Sequence, residues 1–319
     1  MANDTICVVG VSGFVGSHVA AELLSRGYGV NGTLRDTSAG NTRWLLEQLA
    51  PLATAGAELT LHSAELSDKQ SLLRAMQGCT GVIMCAGVER QEPSTIDLMV
   101  GAANNILDSA LELGISRAVF TSSTGSTNPP RGEPELKNEV DHWSDPEKQR
   151  AAGKFSPAAK TLMDQTALAR MDAANGKLRV SVINPSMIVG PAFQPAPVNS
   201  LKAFQAIIEG RRFAEGVPNG SMSIIDARDL AKLHVNALEN DNAHGRYFGV
   251  KQSWHWRDIL AALKKAYPSY EMPPVAQDEA PVRPTQFDLA RQATLGCELR
   301  DLDEMMSGVV AELQRRNMA

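Results

Sequence analysis

What the chain has little of narrows its function first. Its 319 residues hold four cysteines, Cys7, Cys79, Cys85 and Cys297, scattered without the spacing of a metal site or a disulfide framework. Three of them sit in or beside apolar runs, where a reduced thiol packs as a small hydrophobe. No block of Lys or Arg stands out and the formal net charge is −5, so nucleic acid and membrane surfaces have no electrostatic hold on it. No apolar run nears the roughly 18 residues needed to span a bilayer. The start, Met1-Ala2-Asn3-Asp4-Thr5, lacks the basic and apolar segments of a signal peptide, so a cytoplasmic protein is expected. No His/Cys/Asp cluster has ligand spacing, and no metal is expected. No Gly-x-Ser-x-Gly elbow offers a hydrolase nucleophile. Aromatic residues make up only 5%, and the four tyrosines are Tyr28, Tyr247, Tyr267 and Tyr270.

What remains is the composition of an ordinary globular enzyme, 43% hydrophobic and 21% charged. Thr5 to Val9 is an apolar run bounded by Gly10, the pattern of a buried parallel strand. From Val15 the pattern turns helical, with Val15, Val19, Leu23 and Leu24 on one face and Gly27 as the stop. Further strands are expected at Gly29–Leu34, Leu59–Leu61, Gly81–Cys85, Arg117–Thr121 and Arg179–Asn184. Helices over Ser71–Met76, Ile96–Leu113 and Pro157–Ala174 alternate with them. This alternation predicts an α/β fold, a doubly wound parallel sheet with helices on both faces. Asn128 to Gly153, rich in Pro, Glu, Asp and Asn, reads as a surface excursion. Past Pro185 the rhythm breaks, although Ser223–Ile225 and a helix over Ala227–Leu238 still look like core pieces. The expected organisation is therefore a dinucleotide-binding Rossmann core over 1–185, with 223–240 returning to it. A smaller C-terminal substrate-binding lobe, 186–222 and 241–319, would cap the sheet's carboxyl edge.

The first strand and helix are joined by Gly10-Val11-Ser12-Gly13-Phe14-Val15-Gly16. Gly10 permits a tight exit from the strand, Gly13 lets the backbone approach a pyrophosphate, and Gly16 lets helix and strand pack closely. The helix N-terminus then offers N–H groups and a positive dipole end to phosphates. The second strand carries the choice of dinucleotide. Where an NAD site places a carboxylate, this chain has Leu34 followed by Arg35 and Asp36. A neutral residue followed by Arg favours NADP(H), with Arg35 on the 2′-phosphate.

The glycine turn occurs together with Ala64-Glu65-Leu66, Gly78-Cys79-Thr80-Gly81-Val82, Val119-Phe120-Thr121-Ser122-Ser123 and Trp143-Ser144-Asp145. Asn184-Pro185-Ser186-Met187-Ile188-Val189-Gly190-Pro191, Asp226-Ala227-Arg228-Asp229 and Gly245-Arg246-Tyr247 follow in order. In this set the chain resembles the dihydroflavonol reductase and cinnamoyl-CoA reductase group of the extended short-chain dehydrogenase/reductases, within the NAD-dependent epimerase/dehydratase superfamily. The resemblance implies NADPH-dependent reduction of a carbonyl to an alcohol. By position it implies that Ser12, Phe14 and Val15 meet the pyrophosphate, that Glu65 and Leu66 lie against the adenine, and that Ala86 and Gly87 flank the ribose. Thr121, Pro185 and Ile188 would complete the cofactor site, the last near the nicotinamide carboxamide. The group usually has Asp-Leu where this chain has Glu65-Leu66. Asn128 stands where the dihydroflavonol reductases have an asparagine that touches substrate. Met187 and His142 are further candidates at the substrate. Met187, Phe193, Phe204 and Phe213 would suit an apolar or aromatic small-molecule substrate, and the same residues suit plain core. A homodimer is left open.

Catalysis in this group needs a Ser, a Tyr and a Lys. The Tyr passes a proton to the carbonyl oxygen, the Lys lowers the Tyr pKa and binds ribose, and the Ser holds the substrate oxygen. Ser123 and Lys160 are in place, but the residue four before Lys160 is Ser156. Serine is a far weaker acid than a phenol (reference pKa about 10) and its side chain is shorter. One reading keeps a reductase whose proton comes from water at Ser156, from Lys160, or from His142. Another is an NADP(H)-binding sensor without turnover. A third, ranked last because Phe155 and Pro157 also diverge, is an inactivating substitution made to trap a complex.

Overall fold

In a computed structural model, residues 4–37, 40–54, 56–87, 91–130, 132–275 and 280–319 are described. Strand β1 (Thr5–Val9) leads into α1 (Phe14–Ser25), β2 (Gly29–Leu34) and α2 (Arg43–Leu49). There follow β3 (Leu59–Ser63), α3 (Lys69–Met76), β4 (Gly81–Met84), α4 (Ser94–Leu113) and β5 (Arg117–Thr121). After a long connection come α5 (Pro146–Ala151), α6 (Phe155–Ala173), β6 (Arg179–Pro185) and β7 (Met187–Val189). The chain continues through α7 (Asn199–Ile208), β8 (Ser221–Asp226), α8 (Ala227–Glu239), β9 (Gly245–Gly249) and β10 (Gln252–His255). It ends with α9 (Trp256–Ala266), α10 (Ala290–Ala293) and α11 (Leu302–Arg315).

Successive strand residues point to opposite faces, and both faces are buried. Cys7 and Val9 of β1 join Val82, Met84, Phe120 and Val182 in one core, covered by α3, α4 and α6. Ile6 and Val8 join Ile83, Val119 and Ile183 in the other, covered by α1 and α8. The strands form a seven-stranded parallel sheet among the described residues, in the order β3-β2-β1-β4-β5-β6-β9. The doubly wound Rossmann arrangement expected from the sequence is therefore the one found. Because β1 pairs with β2 on one side and β4 on the other, the winding reverses there and a crevice opens at the carboxyl ends. A three-stranded sheet, β10-β8-β7, packs with α7, α9 and α11 around Leu201, Phe204, Leu260 and Met306.

Three details depart from the sequence reading. Residues 245–249, assigned to the lobe, form the last strand of the large sheet, whereas β8, drawn as a returning core piece, sits in the small sheet. A five-residue strand carrying the buried Arg246 shows no apolar run to read. The excursion after Asn128, Arg131 lying outside the described residues, is not all surface: Lys137, Glu139 and Ser144 are at most 4% exposed. No helix among the described residues is long and apolar enough to cross a membrane.

Candidate active site

Gly10 leaves β1 with φ of +87°, and a Cβ there would lie 2.8 Å from the Ala86 backbone after β4. A Cβ on Gly16 would stand 2.1 Å from the Gly10 carbonyl oxygen, so α1 can approach β1 only through glycine. Gly13 closes the turn by donating its N–H to Gly10 O at 3.1 Å. As N-cap of α1 it brings no side chain to its helix, which leaves the N–H groups of Phe14 and Val15 without a side-chain cap. A strap from the lobe reaches this turn: Gln194 donates to Ser12 O at 3.1 Å and to Ser17 Oγ at 2.9 Å.

The neighbouring strands deliver the other expected cofactor contacts to the same edge. Arg35 is exposed just past β2, and its carbonyl accepts from Ser63 Oγ at 2.7 Å, which ties the ends of β2 and β3 together. Past β3, Glu65 N–H donates to Ser71 Oγ at 3.0 Å, and Leu66 O accepts from Asn105 at 2.9 Å. Past β4, Ala86 N–H donates to Val9 O at 2.9 Å, and Gly87 is exposed. Pro185 ends β6 and Ile188 lies half-buried in β7.

The catalytic candidates gather at the carboxyl end of β5. Lys160, on α6, donates its ammonium to Thr121 O at 2.6 Å. Burial lowers its pKa to about 8, against the opposing pull of Asp164 one helical turn on. Thr121 Oγ1 lies 2.7 Å from His234 Nε2, and His234 Nδ1 lies 2.7 Å from Leu230 O. A carbonyl can only accept, so Nδ1 carries the proton and Thr121 donates to Nε2. Burial lowers the His234 pKa to about 4, which makes this a neutral, structural histidine. Ser123 Oγ accepts from Gly125 N–H at 3.0 Å, and its carbonyl accepts from Asn184 at 3.1 Å. Ser156 is half-buried in the first turn of α6, where its N–H donates to Gln91 Oε1 at 3.3 Å. Four residues apart, Ser156 and Lys160 share one helix face. A Cβ on Gly125 would meet Ser123 Oγ at 3.3 Å and Pro157 Cβ at 3.6 Å, so the first turn of α6 packs beside Ser123.

Under this site lies a polar cluster that the sequence reading did not single out. The fully buried Asp164 accepts from Ser126 Oγ at 2.7 Å and Asn184 Nδ2 at 3.0 Å. Burial pushes its carboxyl up, while these bonds and the Arg246 charge pull it down. Arg246 lies 3.3 Å over the Trp143 ring and donates to Ser126 O and His142 O. The spacing of Asp164 from Lys160 was a usable signal; Arg246 gave none, because its partners lie about a hundred residues away.

Beside the first turn of α6, Asn128 lines a cleft of about 300 Å³ together with Gly125, Pro130, Lys148, Lys154 and Pro157. His142 Nδ1 accepts from Asn138 N–H at 2.9 Å, so this ring closes its own loop. Met187 is half-buried against the lobe core. Phe204 is fully buried core, and Phe213 packs against Trp256 at 4.9 Å.

The profile of the NAD dependent epimerase/dehydratase family matches residues 6–250. The chain belongs to this family. It is 32% identical over 315 residues to cinnamoyl-CoA reductase 1 of Oryza sativa subsp. japonica, covering 98% of this chain and 90% of that one. It is 30% identical over 326 residues to dihydroflavonol 4-reductase of Dianthus caryophyllus, covering 99% and 88%. Among solved structures, vestitone reductase from alfalfa superposes with a TM-score of 0.81 at 21% identity, covering 99% of each chain. Yeast methylglyoxal/isovaleraldehyde reductase complexed with NADPH gives 0.81 at 18%, covering 99% of this chain and 100% of that one. At those identities the structural likeness speaks for the fold. The Ser-Tyr-Lys group that the resemblance implies would fall on Ser123, Ser156 and Lys160.

Proposed function

We propose that the protein is an NADPH-dependent reductase of the carbonyl group of a small apolar or aromatic molecule, with Lys160 as its proton source. The uncapped N-terminus of α1 fits a pyrophosphate, and the exposed Arg35 fits a 2′-phosphate. When bound, the dinucleotide supplies the hydride to the carbonyl carbon. Ser123 would hold the carbonyl oxygen, and the oxygen's developing charge would be met by Lys160. Nζ gives one proton to the alkoxide, directly or through a water at Ser156, and the resulting amine regains a proton from solvent. The observation that carries this reading is the Lys160 ammonium at Thr121 O, acidified by burial to about 8, where it can both hold and release a proton near neutrality. The lobe formed around β7, β8 and β10 would hold the substrate against the crevice, and the reduced thiols suit a cytoplasmic setting.

The test is titration with NADPH and NADH, followed by a panel of aryl and aliphatic aldehydes and ketones read by loss of NADPH absorbance. Consumption of NADPH with alcohol formed in equal amount is the expected result. Tight NADPH binding with no substrate consumed would replace the reductase by a sensor, which is what Ser156 in place of a phenol would then mean.

A further inference from the structure

Lys137 is an odd residue to bury. It is 4% exposed, and the carboxylate that acts on its ammonium, Glu133, does so through its charge without a direct salt bridge among the described residues. The amine donates to Asn128 Oδ1 and stands 5.8 Å from the centre of the Phe287 ring. Its backbone is fixed on both sides, with Lys137 N–H donating to Gln286 O and Asp288 N–H to Lys137 O, each at 2.8 Å. Phe287 in turn packs edge-on against Phe248 of β9 at 4.8 Å. The amine is thus held in place by the large sheet and the C-terminal segment together. A buried ammonium with one neutral acceptor and a ring face is costly, and burial lowers its pKa accordingly.

Its ammonium's one hydrogen-bond partner among the described residues is Asn128, which is among those that line the cleft. An ammonium has donors only, so it must meet the amide oxygen of Asn128 and not the nitrogen. The backbone of Asn128 is held as well, with its N–H donating to Ser144 Oγ at 2.8 Å. Nδ2, without a partner among the described residues, is then the polar end left for the cleft. A cation on the oxygen also draws electron density from the amide and strengthens Nδ2 as a donor.

We propose that Lys137 is a specificity-determining positioning residue: it locks the Asn128 amide so that the cleft presents a donor and selects substrates bearing an acceptor-only oxygen. The inference deepens the reductase reading by naming a substrate feature, but its primary test does not need turnover. Para-methoxy- and para-methylacetophenone would be titrated against the NADP⁺-loaded protein, following side-chain amide signals by NMR. The methoxy ketone should bind about five- to tenfold more tightly. Lys137→Met should reduce that preference to within about twofold, and Lys137→Arg should retain most of it. Asn128→Ala should abolish it, and Lys137→Met should add nothing in that background, whereas a merely structural lysine would add its own effect. Asn128→Asp, which keeps an acceptor for Lys137 but removes the donor, covers the case in which Lys137→Met fails to fold; it should lose the preference too. Equal affinity or no binding in the unmodified protein, a preference surviving Lys137→Met or Asn128→Asp, or additivity with Asn128→Ala would overturn the inference. A methoxy preference in binding without NADPH consumption by any carbonyl would overturn the reductase reading alone.

Discussion

A lysine can be a ribose ligand or an acid, and at Lys160 the two roles separate experimentally. If Lys160 is the acid, Lys160→Met should lower kcat by about a hundredfold or more at saturating NADPH, while Ser156→Ala changes it only a few-fold. Single-turnover kinetics would show this, and an unchanged saturated turnover with weaker cofactor binding would leave Lys160 as a ribose ligand only. The pH dependence has a defined sign. The donor is the protonated amine, whose pKa burial lowers to about 8, so kcat should hold below that value and fall as pH rises through it. Ser156→Tyr should raise turnover if the space beside Ser123 accepts a ring. Arg35 tests the cofactor in the same way. Exposed past β2, it owes little to packing, so Arg35→Gln should erase a preference for NADPH over NADH without lowering Tm. Equal affinities in the unmodified protein would end that reading.

Elements set by local pattern were legible in the sequence. The bounds of β1, β2 and β5 coincide with those expected; the apolar runs Ile6–Val9 and Ala118–Phe120 mark β1 and β5, as burial on both faces requires, whereas β2, with Asn31 and Thr33 inside it, follows the stop at Gly27. The glycine turn was legible for the same reason, because close approach leaves few residue choices. What could not be read was set by distant partners. Strand β9 owes its place to pairing with β6, and the Asp164–Asn184–Arg246 cluster joins segments that share no local period. Lys137 looked like one more charge in a polar stretch. The turn also yields a graded prediction. A Cβ on Gly16 would stand 2.1 Å from Gly10 O, against 3.3 Å for Gly13, and the nearer clash is with backbone that cannot swing aside. Gly16→Ala should therefore cost about 2 kcal/mol or more in urea unfolding. Gly13→Ala should leave stability nearly intact and act on NADPH affinity, because Gly13 is exposed at the mouth of the turn. Equal losses of stability would show that the turn does not distinguish packing from access.

Across the whole molecule, the end of the chain holds the beginning in place. Glu312, 4% exposed on α11, pairs with Arg315 and Arg316. Arg316 donates onward to three carbonyls of the strap: Ala192 at 2.8 Å, Gln194 at 2.7 Å and Pro195 at 3.0 Å. The strap's Gln194 then grips Ser12 O and Ser17 Oγ beside the glycine turn. A guanidinium held by a buried carboxylate is a rigid three-way donor, which a lysine's single ammonium cannot reproduce. Arg316→Met should therefore loosen the strap and weaken NADPH binding by about three- to tenfold, and Gln194→Leu should do the same. If the two act through one chain of contacts, the double variant should be no weaker than the worse single one. Arg316→Met also leaves Glu312 with Arg315 alone, so some loss of Tm is expected whatever becomes of the strap. The deciding measurement is therefore the coupling in NADPH affinity: additive losses would mean that α11 steadies the lobe without reaching the glycine turn.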